Sequence, residues 1–326
     1  MNATQPPGRP TAEQIERTLV GMPARHTRAQ VAAGAGVSQE LAQRIWRALG
    51  FAQFPDDAVA FSDADVAALR RVRSLLDGGL LDEQAVIRMA RALGQTTARL
   101  AQWQAEIVIG TVIQDARTDA DLNGVLDTAK ALLPDFEHLL VHVWRAQLAA
   151  AGTRLLAVAD DQDERGPARV SIAVGFADLV SFTRRSRELD ERALASLVEG
   201  FESRAADVVA AHGARLVKTL GDEVLFTAPA PAQAAAIALD LADSLELRIG
   251  MAYGPVVPMM GDVFGTTVNL AARLTAIARP GTILVDSELA EGLAAAPDGI
   301  EVHKIRRRPA RGLGVVQPYV LRRSSS

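Results

Sequence analysis

The 326-residue sequence contains no cysteine, which excludes disulfide bonds and thiolate metal sites. It also lacks long apolar runs. The stretch IVIGTVI at 107–113 falls far short of the ~20 residues that a membrane-spanning helix needs. The first residues, MNATQPPGRPTAEQ, have no apolar core of the signal-peptide type. These absences predict a cytoplasmic protein without a membrane anchor.

A strong excess of charge of either sign is missing as well. Charged residues make up 23% of the sequence and the net charge is -4, which gives no general attraction to nucleic acid or anionic membranes. Hydrophobic residues make up 49%, and the length allows two domains with sizeable cores. The composition is that of an ordinary globular protein.

The first half of the chain has the periodicity of helices. From residue 11 to about 150, apolar residues recur at intervals of three and four, and Ser38 and Ser62 stand at helix starts. A charged stretch containing Gly-Pro follows. We therefore predict an all-helical domain over 1–150 and a linker over 151–168.

The second half, 169–323, alternates strand-like and helical segments. Their order is β-α-β-β-α-β with further elements appended, which predicts an antiparallel sheet covered by helices in a ferredoxin-like arrangement. The segment GPVVPMMG at 254–261 is interpreted as a loop. The fold class of the whole chain is thus predicted to be α+β.

Two aspartates stand at strand ends in this second half. Asp178 follows an apolar strand in FADLVSFT, and Asp222 lies in the hairpin-like segment KTLGDEVLF. Each aspartate alone is explained by turn or cap formation. If both converge at one sheet edge, however, their hard oxygen ligands suit Mg²⁺ or Mn²⁺ held partly by substrate phosphates.

A helical segment, GDVFGTTVNLAARL, places Asn269 and Arg273 four residues apart on one face. An amide and a guanidinium in this arrangement can contact a ribose and an α-phosphate. The alternative is an ordinary polar helix face.

These segments together resemble the class III nucleotide cyclases, specifically the bacterial adenylyl cyclases. FADLVSFT is similar to the family's first metal motif, LVKTLGDEVLF to its second, and GDVFGTTVNLAARL to its substrate motif. The resemblance covers roughly 169–322. It implies formation of 3′,5′-cyclic AMP and pyrophosphate from ATP, at sites shared between the two chains of a homodimer.

The resemblance also implies a role for individual residues. Two Mg²⁺ or Mn²⁺ ions per site are bound by Asp178, Asp222 and the carbonyl of Leu179. Lys218 and Asp262 read the adenine edge, where guanylyl cyclases of the family have Glu and Cys. Asn269 orients the ribose, Arg273 stabilises charge at the α-phosphate, and Arg311 is a weaker match to a phosphate-contacting lysine.

Two other enzyme classes and one binding function remain as alternatives. A guanylyl cyclase shares the motifs, and a diguanylate cyclase has a similar turn to LGDEV. The segment TRAQVAAGAGVSQELAQRIWRALGF resembles a helix-turn-helix, with Ser38 opening a would-be recognition helix. Residues 1–150 contain no excess of basic residues, which disfavours binding of nucleic acid.

The helical half resembles, more loosely, the regulatory domain of some actinobacterial adenylyl cyclases. That resemblance implies control of the cyclase by a small molecule or by protons. Histidine titrates near neutral pH. His138 and His142 near the linker and His212 after the first helix of the second domain are therefore candidate pH sensors.

Overall fold

The computed structural model describes residues 11–113, 119–159, 170–180, 182, 188–259, 261–294, 299–310, 312 and 314–324. The chain divides into two compact units, Met1–Ala157 and Val158–Ser326. The first unit is helical and the second combines helices with a mixed sheet, which confirms the predicted fold class. Across the described ranges, no helix is both long enough and apolar enough to cross a membrane.

The helices of the first unit begin at capping side chains. The hydroxyl oxygens of Thr11, Thr27 and Ser38 each accept a hydrogen bond from a backbone N–H in the first helical turn. The described helices are α1 (Ala12–Val20), α2 (Arg28–Ala35), α3 (Gln39–Leu49), α4 (Asp63–Asp77), α5 (Glu83–Ile113) and α6 (Asp119–Ala159). Helices α2 to α5 share a core that contains Val31, Ile45, Trp46, Phe61, Leu69 and Val86.

The linker predicted over 151–168 is wrong in its first part, because α6 continues to Ala159. Alanine and leucine dominate this stretch and favour a helix, which outweighs the cost of about 1 kcal/mol for the single Gly152. Residues 160–168 lie outside the described part of the chain.

The second unit begins with the predicted order β-α-β-β-α-β. Its elements are β1 (Val170–Leu179), α7 (Glu191–Ala211), β2 (Arg215–Thr219), β3 (Glu223–Ala228), α8 (Pro231–Ser244), β4 (Leu247–Met259), β5 (Asp262–Phe264), α9 (Thr266–Ile277), β6 (Thr282–Val285), α10 (Ser287–Gly292), β7 (Ile300–Lys304), β8 (Arg308–Ala310), β9 (Gly314–Val316) and β10 (Tyr319–Arg323). The main sheet has the order β2-β3-β1-β4-β6-β10-β7.

The prediction of an antiparallel sheet is wrong at one strand pair. β4 and β6 run parallel, with Arg248 opposite Thr282 and Met251 opposite Val285. A parallel pair needs a crossover connection, and here α9 provides it. The sheet is therefore mixed.

Helices cover the two faces of the sheet unequally. Residues of α7, α8 and α10 form the larger core on one face. On the other face α9 packs against β4 and β1. A Cβ on Gly250 of β4 would overlap the backbone of Ala271 and Thr275, so glycine permits α9 to lie this close.

The segment predicted to be a loop over 254–261 is mostly strand. β4 extends to Met259 and pairs with β5, so that Val257 lies opposite Phe264 and Met259 opposite Asp262. Valine favours extended backbone. The hairpin places Asp262 at the start of β5.

A buried carboxyl lies between β6 and α10. Asp286 is only 5% exposed, and its side chain accepts hydrogen bonds from the backbone N–H groups of Leu289 (3.0 Å) and Tyr253 (3.2 Å). Burial raises the pKa of Asp286 to about 7, since the loss of hydration outweighs these two hydrogen bonds.

This carboxyl makes the stability of the second unit dependent on pH. The folded-state pKa lies above the ordinary value of 3.8, so the stabilising contribution is complete below about pH 4 and is lost as pH rises through 7. The loss is on the order of 4 kcal/mol. We expect Asp286→Asn to remove this pH dependence between pH 5.5 and 8.5. The measured quantity is the free energy of urea unfolding, with unfolding monitored by hydrogen exchange in peptides from β4 and α10. The exposed Asp207→Asn is the matched control, and an unchanged slope in Asp286→Asn contradicts the prediction.

Candidate active site

The β2–β3 hairpin brings Asp222 to the end of β1. Gly221 has φ +74°, a left-handed conformation that glycine adopts without strain, and the N–H of Leu220 donates to the carbonyl of Glu223 at 2.7 Å. The N–H of Leu179 donates to the carbonyl of Asp222 at 2.8 Å. The two predicted aspartates are therefore brought together, as expected for one sheet edge.

Negative charge accumulates at this edge. Asp178 is partly buried at the end of β1 and lies opposite Glu223 in the β1–β3 register. Burial and the charge of Asp222 raise the pKa of Asp178, and the nearby guanidinium of Arg248 lowers it by less. Burial and both aspartates likewise raise the pKa of Glu223. An added cation would relieve this repulsion.

Sequence reasoning missed Glu223 and Arg248. Arg248 lies beside Asp178 on β4, with its Nη1 3.5 Å from Asp178 Oδ2. Its buried Nε has no hydrogen-bond partner among the described residues. The signal in the sequence was a single charged residue inside the apolar strand LRIGMAYG. Burying a hydrogen-bond donor without a partner costs free energy, so such a residue indicates a site that a ligand can complete.

Lys218 and Asp262 form an ion pair across β2 and β5. Lys218 Nζ is 2.5 Å from Asp262 Oδ2, and both side chains are partly exposed. The other carboxylate oxygen of Asp262 accepts a hydrogen bond from the N–H of Val263 at 2.8 Å. The structure thus joins two predicted residues that lie 44 positions apart in the sequence.

Asn269 and Arg273 lie exposed on α9, one turn apart, as predicted. Neither side chain has a hydrogen bond or ion pair to another described residue, so both are available to a ligand. The buried hydroxyl of Thr267 donates to the carbonyl of Pro255 at 2.8 Å and fixes the start of the helix. Arg311 lies outside the described residues.

The donor set at Asp178 and Asp222 fits a hard divalent cation. Among the residues that the structure describes, no group of three or more His, Cys, Asp or Glu side chains is arranged as a metal site. Proteins nonetheless often bind Mg²⁺ through only one or two carboxylates, and the phosphates of the substrate supply further ligands. The residues present are compatible with such an ion.

The predicted helix-turn-helix consists of α2 and α3, joined at Gly36 with φ +69°. Arg44 on α3 forms an ion pair with Glu83 of α5 at 3.0 Å, and Trp46 is buried in the helical core. The pairing neutralises one of the few basic groups on the would-be recognition helix. Both contacts pack α3 within the helical unit.

Two family models match the chain and together span most of it. Residues 14–151 match the adenylate cyclase regulatory domain, which includes the helix-turn-helix segment. Residues 167–323 match the adenylate and guanylate cyclase catalytic domain. The second match excludes the diguanylate cyclase alternative.

Two curated relatives match over nearly the whole chain, and a solved structure matches about half of it. An adenylate cyclase of Streptomyces coelicolor is 44% identical over 350 residues, covering 96% of this chain and 90% of that protein. A pH-sensitive adenylate cyclase of Mycobacterium tuberculosis is 30% identical over 331 residues, covering 95% and 81%. The crystal structure of an adenylyl cyclase from P. aeruginosa shares 21% identity and a TM-score of 0.44 over 48% of this chain and 96% of that one. The chain therefore belongs to the class III adenylate cyclases that carry an N-terminal adenylate cyclase regulatory domain.

Proposed function

We propose that this chain forms 3′,5′-cyclic AMP and pyrophosphate from ATP at two equivalent sites of a homodimer, under control of its helical domain. The observation that carries the proposal is the Lys218–Asp262 ion pair. Adenine presents a hydrogen-bond donor at its amino group and an acceptor at its ring nitrogen. Asp262 can accept from the first and Lys218 can donate to the second, so this pair suits adenine.

The triphosphate end of the substrate would contact a different set of groups. Asp178, Asp222 and the Leu179 carbonyl would hold two Mg²⁺ or Mn²⁺ ions, which supply Lewis-acid stabilisation to the reacting oxygens when bound. Arg248 has an unpaired buried donor beside Asp178 and is placed to contact the triphosphate. Arg311 is proposed as a further phosphate contact.

The exposed pair on α9 would act on the reacting part of ATP. Asn269 would hold the ribose so that its 3′-oxygen faces the α-phosphorus, and Arg273 would stabilise the charge that grows on the α-phosphate. The ribose 3′-hydroxyl loses its proton to water as its oxygen forms the new P–O bond, and pyrophosphate leaves with the electrons of the broken P–O bond. Positioning and charge account for the catalysis without an obligatory side-chain base.

Exposed apolar side chains support a dimer. On the β2–β3 and β4–β5 hairpins, which carry site residues, Leu220, Met259 and Phe264 are 52%, 52% and 44% exposed. In the helical unit, α6 exposes an apolar set that recurs at helical spacing: Leu132, Phe136, Leu139, Val143, Trp144 and Leu148. Several exposed apolar side chains on one element are typical of interaction sites, and a second copy of the chain would cover each set symmetrically.

Product analysis tests the proposed reaction. The full-length protein is incubated with Mg²⁺ or Mn²⁺ and either ATP or GTP, and the products are separated by chromatography and identified by mass spectrometry. We expect cyclic AMP and pyrophosphate from ATP, a rate at least ~10-fold lower with GTP, and no product when the metal is chelated. Preferential formation of cyclic GMP would refute the assignment of the base-reading pair.

We also propose that the helical domain makes the activity responsive to a signal, with protons as the first candidate. The support is the 30% identity to a relative named as pH-sensitive and the position of His138 and His142 one turn apart on α6. His138 Nδ1 lies 2.6 Å from the carbonyl of Pro134. His212 of the second unit is instead held by Asp240 at 2.8 Å. A cytoplasmic location stays a prediction.

The regulatory proposal is tested by pH profiles of cyclic AMP formation. Full-length protein, a truncated chain beginning near residue 160 and the His138→Gln/His142→Gln variant are compared between pH 5.5 and 8.5. We expect a steep profile for the full-length protein and a flatter one for the truncated chain and the variant. Superimposable profiles of the full-length and truncated chains would exclude control by the helical domain.

A further inference from the structure

A cavity with charged lining residues lies in the second unit, beyond the C-terminal end of α9. Its volume is about 440 Å³. Its lining residues are Ile277, Arg279, Gly281, Thr282, Leu284, Ile305, Arg308, Val320, Leu321 and Arg322. Three of these ten residues are arginines, contributed by the α9–β6 connection, β8 and β10.

Among the residues that the structure describes, the three arginine side chains have no carboxylate partner. The guanidinium groups of Arg279, Arg308 and Arg322 form no hydrogen bond or ion pair with any described residue, and none of the described lining residues is acidic. Glu301 lies opposite Arg322 on β7, but its carboxylate is 3.0 Å from His303 Nε2. The contrast is Arg323, which contacts both Asp240 and Asp243. Three unpaired guanidinium groups around one cavity attract an anion with several acceptor oxygens.

One wall of the cavity is apolar. Leu284 and Val320 are buried and belong to a cluster with Leu274 and Ala278 of α9. Ile277 and Ile305 complete this side of the wall. Small-molecule sites commonly combine such an apolar lining with a few charged groups that fix the ligand, and this volume lies within their usual range.

We propose that this cavity binds a phosphate monoester whose organic part is apolar. The phosphate lies among the three guanidinium groups, where the planar N–H forks match its oxygens. The Thr282 hydroxyl is a further polar group at the site. The apolar part of the ligand packs against the half-buried side chains of Ile277 and Ile305, which lie over Leu284 and Val320.

The cavity shares no residue with the proposed catalytic site, although Thr282 neighbours Arg248, and the inference does not depend on the proposed reaction. Asp178 lies opposite Arg248 on β4, and Arg248 lies opposite Thr282 on β6. Thr282 is therefore two strands away from Asp178, about 10 Å at the usual spacing of strands. Arg322 on β10 lies one strand farther.

Calorimetric titration of the full-length protein with phenyl phosphate tests the site. Mg²⁺ is present throughout, and the titration is run once without and once with a saturating non-hydrolysable ATP analogue, which occupies the catalytic site. We expect one phenyl phosphate per chain, bound more tightly than inorganic phosphate. Arg308→Gln/Arg322→Gln is expected to weaken binding at least ~10-fold. The matched control is Arg306→Gln/Arg307→Gln, which removes two exposed arginines outside the cavity and is expected to leave binding unchanged.

Three results would overturn the proposal. They are absence of binding by both phosphates and by vesicles, displacement of phenyl phosphate by the ATP analogue, and equal weakening in the two double variants. A parallel sedimentation with phosphatidic acid vesicles identifies the natural source of the phosphate. Sedimentation that depends on Arg308 and Arg322 assigns it to a lipid headgroup, and phenyl phosphate binding without sedimentation assigns it to a soluble ester.

Discussion

Mixing Asp222→Ala chains with Arg273→Ala chains will restore cyclase activity that neither variant has alone. In the proposed homodimer each site takes its metal carboxylates from one chain and its α9 residues from the other. A heterodimer of the two variants therefore has one site with both defects and one site with none. The intact site is expected to turn over ATP at its normal rate.

The size of the effect follows from counting sites. Removal of a group that stabilises the transition state costs about 10²–10³ in rate, so each homodimeric variant should be almost inactive. Random exchange in an equimolar mixture makes half of the dimers mixed, and each mixed dimer has one working site of two. We therefore expect roughly one quarter of the unchanged protein's activity, measured as cyclic AMP formed per milligram after subunit exchange.

The matched control uses two lesions from the same half of the site. Asp178→Ala mixed with Asp222→Ala gives heterodimers in which each site still lacks one carboxylate, so no activity should return. Dimer formation is followed by analytical ultracentrifugation in every mixture. If Asp222→Ala and Arg273→Ala form mixed dimers that stay inactive, the shared-site arrangement is wrong.

The sequence was sufficient to place those candidate site residues whose positions depend on local pattern. Asp222 lies in a short hairpin whose turn residues are visible in LGDEV, and Asn269 and Arg273 share a face because helical spacing is regular. The pairing of Lys218 with Asp262 came only from the family resemblance. Forty-four residues separate the two, and no local rule specifies that β2 and β5 meet.

Non-local pairing also explains the errors. The parallel alignment of β4 and β6 depends on the path of α9 across the sheet, which the strand patterns do not encode. Arg248 was missed for the same reason. Its importance comes from lying opposite Asp178, and that register exists only once β1 and β4 are paired.

A change of substrate is the second large effect, expected for Lys218→Glu combined with Asp262→Cys. Guanine presents N–H donors at N1 and N2 and an acceptor at O6, the reverse of the adenine pattern. A glutamate at 218 accepts from the N–H groups, and a thiol at 262 donates weakly to O6. We expect kcat/KM for ATP to fall at least ~100-fold and that for GTP to rise until GTP is preferred, since unpaired polar groups in the site reject the wrong base.

The single variants separate base recognition from general damage. Lys218→Glu alone places a second carboxylate where the 2.5 Å ion pair was, so repulsion from Asp262 should weaken both substrates. Lys304→Glu, at an exposed position of β7, makes the same charge change and should leave the ratio of ATP to GTP turnover unaltered. A double variant that dimerises normally and still prefers ATP would show that Lys218 and Asp262 do not read the base. In that case the ion pair would be a structural link between the two hairpins, and adenine would be recognised by other groups.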